Sequence, residues 1–480
     1  MKRIVFTIAA LATVFTLTAQ EKQLLSLDEA LSITLTNNPA VAASQYEERA
    51  AEQERRAAIG LRMPQINVTG AYSYLGKDIG VDLNDMKQPA KDFAGNIFQS
   101  GLIPGEFLPK IQQLTAPLFA ADWTLPLQKR SFGTVGGEVT LPIWLGGKIN
   151  AANRAARLNQ KSAEAAGVQT RNALVSELVE RYYGLALASQ VVQVRQQVVD
   201  GVRQHLNDAI ALEKNGMIAH SERLYVEFKM AEAERELENA KLQEQTISAA
   251  LANTLGKPTD YTPITTMFML SKVEDLAFYQ GLAADHNPLL NQVGLKRQLA
   301  TENVRAKRAG FLPQIVAMGG VSFYNYQVAN MIPRWAVGVG INLKIFDGLN
   351  REYTYSAAKQ TVHRIESLEK KATDDIQVLI AKLYNQMMHY GNQMASIESS
   401  LVFAEEYLKS KNAAFLEGMS SSSDLVDAEL NLAKVKTERL QAVYSYDLLL
   451  AKLLEAAGIS DEFIHYIRRA DARPITFGNN

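Results

Sequence analysis

Asp424 and Asp427 stand three residues apart in the stretch GMSSSSDLVDAE, residues 418–429, and Glu222 holds the matching place after Gly216. Positions three apart share a helix face. Two chemistries suit such carboxylates. At the start of a helix they complement its positive end, worth about 0.3–1 kcal/mol each at the surface. Gathered around an axis by several copies of the chain, they form an acidic ring that selects cations. The helix-end effect fades within the first turn, so it accounts for Asp427 less well than for Asp424. Little else in the chain offers chemistry. His205, His220, His286, His363, His389 and His465 are scattered without metal-ligand spacing. Cysteine is absent, which removes disulfides, thiol nucleophiles and a lipidated cysteine anchor. Serines 420–423 suit a flexible turn with capping capacity better than nucleophiles. Gly338-x-Gly340 is too short for a dinucleotide motif. The expectation is a protein that is not an enzyme and holds no metal or cofactor.

The elements that carry the acidic pair are long. Residues 149–214 and 349–415 contain no proline. In the second stretch Ile365, Leu368, Ala372, Ile376, Leu379, Leu383, Met387, Tyr390, Met394, Ile397 and Leu401 recur at steps of three or four, one continuous helical face. A helix of ~66 residues is about 100 Å long. Gly216 and Gly418 are placed to end these helices at a tight turn, with Met217 and Met419 following. Ser221 and Ser423 are expected to cap the returning helices, which span about 222–255 and 424–457. Helices of similar length are expected at about 40–61 and 286–310.

Strand patterning appears four times. Apolar residues alternate with polar or small ones over 64–74, 134–143 and 334–345, and less cleanly over 314–324, where Val316 and Met318 fall on the polar face. Ten-residue segments of this kind suit the wall of a membrane β-barrel. Trp123, Trp144 and Trp335 lie in or near them, as an interfacial girdle would place them. Pro64 and Pro313 mark the junctions of helix with strand. Four strands cannot close a barrel, and an open edge is not tolerated in lipid. The chain is therefore expected to assemble, as three copies giving twelve strands rather than two giving eight.

The same words recur along the chain. Asn38-Pro39, Arg56-Ala57 and Pro64-Gln65-Ile66 return 249 residues later; Gly136, Tyr182, Gly216-Met217, Ser221 and Gly256 return 202 residues later. A tandem duplication is indicated, with repeats at 20–270 and 271–460 and a tail at 461–480. The first copy holds 47 extra residues within about 75–131, expected as a long extracellular loop opposite a short one near 325–333. Residues 1–19 fit a cleaved secretory signal, with Lys2 and Arg3 before an apolar run. The formal net charge is −1, and −3 without that leader, no basic field for nucleic acid.

With this layout the chain resembles the TolC family of outer-membrane channels. The phrases MPQI (63–66) and LPQI (312–315) and the stretch 418–429 carry the resemblance, the last being similar to the family's Gly-x5-Asp-(Val/Leu)-x-x-Ala motif at the helix turn. It implies a mainly α protein with membrane β-structure: helical hairpins forming an α-barrel tunnel through the periplasm, continuous with a twelve-stranded trimeric barrel. It also implies a homotrimer set in outer-membrane lipid, which docks through its turns with a periplasmic adaptor and an inner-membrane transporter of the RND or ABC type. It further implies a constriction formed by Asp424 and Asp427, to which Glu222 is added by repeat equivalence. The chain departs from the family's best-known member at Ser420, where an arginine is expected. The alternative is a soluble periplasmic coiled-coil adaptor or scaffold, separable by membrane fractionation.

Overall fold

The computed structural model describes residues 23–328 and 333–475. The expected signal and part of the second loop, near 325–333, lie outside the described residues. The chain opens with a short strand β1 (Gln23–Leu25) and helices α1 (Leu27–Asn37) and α2 (Pro39–Gly60), then enters strand β2 (Gln65–Tyr74). An insertion follows: β3 (Ile79–Asp82), α3 (Lys87–Gln99), α4 (Leu108–Ala120) and β4 (Thr124–Gln128). Strand β5 (Ser131–Leu145) leads into the 67-residue helix α5 (Lys148–Lys214), and α6 (His220–Leu255) returns. Short strands β6 (Tyr261–Pro263) and β7 (Phe268–Leu270) lead to α7 (Leu276–His286), α8 (Pro288–Arg308), β8 (Gln314–Tyr326) and β9 (Trp335–Asn342). The 67-residue α9 (Asn350–Leu416) and α10 (Ser422–Ala457) repeat the hairpin, and α11 (Phe463–Ile467) and β10 (Ala472–Pro474) close the chain.

Two compact units cut across the repeat. One takes in the described residues up to Glu54, Ala156–Thr301 and those from Gln360 onward; the other is Arg55–Ala155 with Glu302–Lys359. In the first unit the core gathers Tyr182, Tyr183, Phe268, Tyr279, Tyr446 and Phe463, all buried. Two small sheets lie against it, β1 with β6 in parallel and β7 with β10 antiparallel. The Tyr182 hydroxyl donates to the Leu25 carbonyl at 2.6 Å and accepts from the Ile264 and Thr265 N–H groups, so one phenol ties α5 to both strands. The repeated Asn-Pro pair has a shared task here. Asn38 and Asn287 each donate from Nδ2 to a carbonyl at the end of a returning helix, Thr254 and Ala456, both at 2.8 Å. Their Oδ1 atoms accept from the first N–H groups of α2 and α8. Both returning helices end at a left-handed glycine, Gly256 (φ 67°) and Gly458 (φ 83°). A Cβ on Gly256 would come within 2.8 Å of the Asn37 carbonyl oxygen, so backbone passes where a side chain would stand.

In the second unit four strands form one antiparallel sheet in the order β2-β5-β8-β9. Register aligns the apolar positions across it. Ile66, Val139, Gly319 and Val337 form one row, and Val68, Gly137, Val321 and Trp335 the next. Most large side chains of these rows are exposed. Val316 and Met318 stand on the opposite face, in rows with Gly340 and Gly338. There Met318 reaches the space a side chain on Gly340 would fill, its methyl 3.1 Å from that Cβ position. The uneven alternation of β8 thus has a packing cause.

Several expectations need correction. Strand β9 ends at Asn342 rather than 345, because the Arg351 guanidinium takes the carbonyls of Lys344 and Ile345 and bends the chain into α9. The predicted face of α9 is buried at Ile376, Leu383, Met387, Met394 and Ile397, with Ile380 and Ala404 joining it; Leu368 and Leu379 are exposed. Trp144 and Trp335 lie on the sheet, but Trp123 stacks on Phe119 in the insertion. Residues 75–131 are not a plain loop, since they hold a strand pair and two helices. Among the described residues, the tail holds β10, which pairs with β7. The prolines mark strand starts: α2 ends at Gly60, four residues before Pro64, and a 3-10 turn at Ala309–Phe311 precedes Pro313.

Candidate functional site at the helical turns

Each helical hairpin turns through the same backbone device. In the first, the Gly216 N–H donates to the Glu213 carbonyl and the Met217 N–H to that of Leu212; in the second, Gly418 donates to Phe415 and Met419 to Ala414. This bonding pattern closes a helix through a left-handed residue, and Gly216 and Gly418 have φ of 70° and 73°. Met217 and Met419 are left exposed at the turns.

The expected caps Ser221 and Ser423 do not cap. The returning helices begin two residues earlier than expected, with Ala219 and Ser421 as the extended cap residues. Ser421 Oγ accepts from the Asp424 N–H at 3.1 Å, while Ala219 has no side-chain oxygen to offer. The two cap positions are 202 residues apart, so the repeat keeps its register while only one copy keeps the capping bond.

Asp424 sits in the first turn of α10. Its Oδ2 accepts from Lys411 Nζ of α9 at 3.3 Å and from Ser420 Oγ at 3.1 Å. The Lys411 bond first, then that of Ser420, holds its carboxyl below the usual carboxylate range. Ser420, lacking an arginine's reach, binds within its own turn. Asp427 is met by Tyr225 of α6, whose hydroxyl donates to Asp427 Oδ1 at 2.9 Å. Desolvation and then this carboxylate push the Tyr225 phenol up. Glu222 lies in the first turn of α6, and among the described residues no side-chain partner meets it. The structure therefore brings Asp424 to Lys411 and Asp427 to Tyr225.

Sequence reasoning missed three groups here. Lys411 and Tyr225 approach from other helices. The signal for Tyr225 was present, since it is the residue 202 positions before Asp427. At the first turn, Arg223 binds Glu213 and Glu227 while His220 Nδ1 lies 2.5 Å from Glu213, and these contacts hold the Glu213 carboxyl low, the His220 bond foremost. Further along, His205 Nε2 of α5 lies 3.3 Å from Glu429 Oε2 of α10.

Paired 67-residue helices, a four-stranded sheet with an exposed apolar face and turns carrying acidic residues are the arrangement expected of an outer-membrane efflux protein. The chain belongs to the outer membrane efflux protein family, which it matches over residues 124–257 and 280–459. It is an outer-membrane protein of a family of channels rather than enzymes, and membership sets aside the soluble adaptor alternative. The alkaline protease secretion protein AprF of Pseudomonas aeruginosa is 23% identical over 311 residues. That match covers 60% of this chain and 62% of the relative, so the chain spans less than two thirds of its length. The fold is similar to the Campylobacter jejuni CmeC outer membrane channel (TM-score 0.70, 14% identity, 92% of this chain and 88% of that one). It is also similar to the outer membrane protein VceC of Vibrio cholerae (TM-score 0.67, 17% identity, 90% and 96%).

Proposed function

We propose that three copies of this chain form an exit duct. Their sheets close a twelve-stranded barrel in the outer membrane, and their helical hairpins form a periplasmic tunnel. The observation that carries this reading is the sheet order β2-β5-β8-β9, which leaves β2 and β9 as free edges among the described residues. Free strand edges in hydrocarbon leave backbone N–H and C=O groups without partners, at several kcal/mol each. Pairing β9 of one copy with β2 of the next removes both edges. Three copies are favoured because an eight-stranded interior is filled by its own side chains. On this reading Pro64 and Pro313 lie where helix gives way to barrel wall, and the insertion at 75–131 faces the outside. The turns at Gly216-Met217 and Gly418-Met419 then face a periplasmic adaptor and an inner-membrane transporter, with Asp424, Asp427 and Glu222 around the inner mouth. The relative's name, alkaline protease secretion, favours a polypeptide cargo, as in type I secretion, over small-molecule efflux.

Detergent-extracted outer membranes provide the test. The protein is expected as a heat-labile trimer on native gels that forms ion-conducting channels in planar bilayers. A monomer without conductance would overturn the reading. Loss of an exported protein from the medium of a deletion strain, with drug tolerance unchanged, would fix the cargo class; the reverse pattern would assign efflux.

A further inference from the structure

The insertion between β2 and β5 is built, yet it buries nothing. Its stem continues the barrel hairpin: the Leu75 N–H donates to the Arg130 carbonyl, the Arg130 N–H to Asp78 Oδ1, and β3 then pairs with β4. At the top of the stem Asn84 acts as a clasp. Its Nδ2 donates to Asp82 and to Asp122, at 2.7 Å for the latter, and its Oδ1 accepts from the Trp123 N–H at 3.1 Å. The two ends of the helical segment are thereby fixed together. Between them α3 and α4, 13 residues each, contain no buried residue. Phe93 (69% exposed), Leu102, Phe107, Leu114 (74% exposed) and Leu118 are bare. Isolated helices of this length are marginal in water, and protein helices draw most of their stability from packing an apolar face. A clasped pair of short helices with bare aromatic and aliphatic side chains is therefore missing its cover.

Two observations choose the cover. The insertion springs from β2, an edge strand of the sheet, so it stands at the seam where the next copy must pair. Its charge is balanced, with six acidic and six basic residues over 75–131. Helices that lie on a membrane surface are rich in Lys and Arg on their polar face, whereas α3 and α4 carry only three lysines and no arginine between them. Balanced charge also puts no net repulsion between copies.

We propose that the insertions of neighbouring copies pack on one another through α3 and α4 and form a lid over the outer mouth of the barrel. The proposal rests on the trimeric reading above. It makes the outer end of the duct a second closure, separate from the acidic inner mouth.

The cysteine-free chain makes the test clean. Phe93→Cys, Leu114→Cys and the double variant are oxidised in intact cells. The double variant is expected to give linked dimers and trimers, through position 93 of one copy and position 114 of the next, and the single variants to remain largely unlinked. A second variant replaces residues 85–121 with Asn-Gly, and its trimers are expected to conduct at least twofold more in planar bilayers. Native trimers without linked species, and with unchanged conductance after the replacement, would overturn the lid and leave the duct standing. Absence of trimers in the unmodified protein would overturn both. Cysteines shielded from aqueous maleimide and reached only by a lipid-phase reagent would overturn the lid in favour of a membrane-lying insertion. A replacement variant that fails to assemble leaves the disulfide readout to decide.

Discussion

At the scale of single residues the most exacting position is Asp447. It is fully buried on α10, and Oδ2 accepts from the Phe268 N–H at 3.1 Å. Burial, opposed only in part by that bond, pushes its carboxyl well above the ordinary range. Its folded pKa thus exceeds the unfolded value of about 3.9. The folded state holds the proton more tightly, so the stabilisation is complete below the unfolded pKa and is lost as pH rises through the folded one. Asp447→Asn keeps an acceptor for Phe268 without a titrating group. The melting temperature followed by circular dichroism should fall with rising pH in the natural protein and change less in Asp447→Asn. Equal slopes would show that another group carries the effect. Asp447→Leu should cost about 1–3 kcal/mol at low pH, where the natural carboxyl keeps its proton, since it leaves a buried N–H unpaired, and less as the pH rises. The acidic residues near the turns were legible because their spacing repeats a motif. Their partners Lys411 and Tyr225 were not, because both are delivered by packing between helices far apart in the chain.

At the scale of elements, legibility followed the strength of periodicity. Helices α5 and α9 were bounded within a residue or two, since an unbroken apolar face and the lack of proline leave few other outcomes. The four sheet strands were found for the same reason at period two. The three-residue strands β1, β6, β7 and β10 carry too few positions to show any period, and long-range contacts such as that of Tyr182 with Leu25 define them. Helices α3 and α4 were missed for a different reason: they are short and carry Pro89, Pro109 and Pro117, so their apolar spacing is broken up in a stretch that reads as a loop. The exposed sheet face supports a direct test. Val337 is 77% and Ile341 71% exposed. Replacing either with Arg should cost about 2–4 kcal/mol near the bilayer midplane, seen as a lower denaturant midpoint and less protein in the outer-membrane fraction. Full tolerance at both positions would mean that this face does not meet lipid.

At the scale of the whole molecule, threefold assembly would set six aspartates, Asp424 and Asp427 of each copy, about one axis. Planar-bilayer recordings of the double variant Asp424→Ala, Asp427→Ala should show weaker cation selectivity and loss of block by trivalent cations added at the periplasmic side. Unchanged selectivity and block in a folded trimer would reduce both residues to local roles, Asp424 holding Lys411 and Asp427 holding Tyr225. The duplication matters at this scale too. Tyr225 and Asp427 occupy the same place in the two repeats, and they meet each other. A site that faces its own likeness in a symmetric pair must be complementary to itself, and two aspartates or two tyrosines there would forgo a charged acceptor facing a donor. Fusing the halves into one chain frees the two positions to differ, one becoming the donor and its twin the acceptor. Such a pair is a marker of descent as well as a contact: neither member can change alone without loss, whereas exchanging them keeps the chemistry. The exchanged variant Tyr225→Asp, Asp427→Tyr should therefore melt closer to the natural protein than either single substitution does, and an exchange no better than the worse single change would show that the surroundings have since become specific to each half.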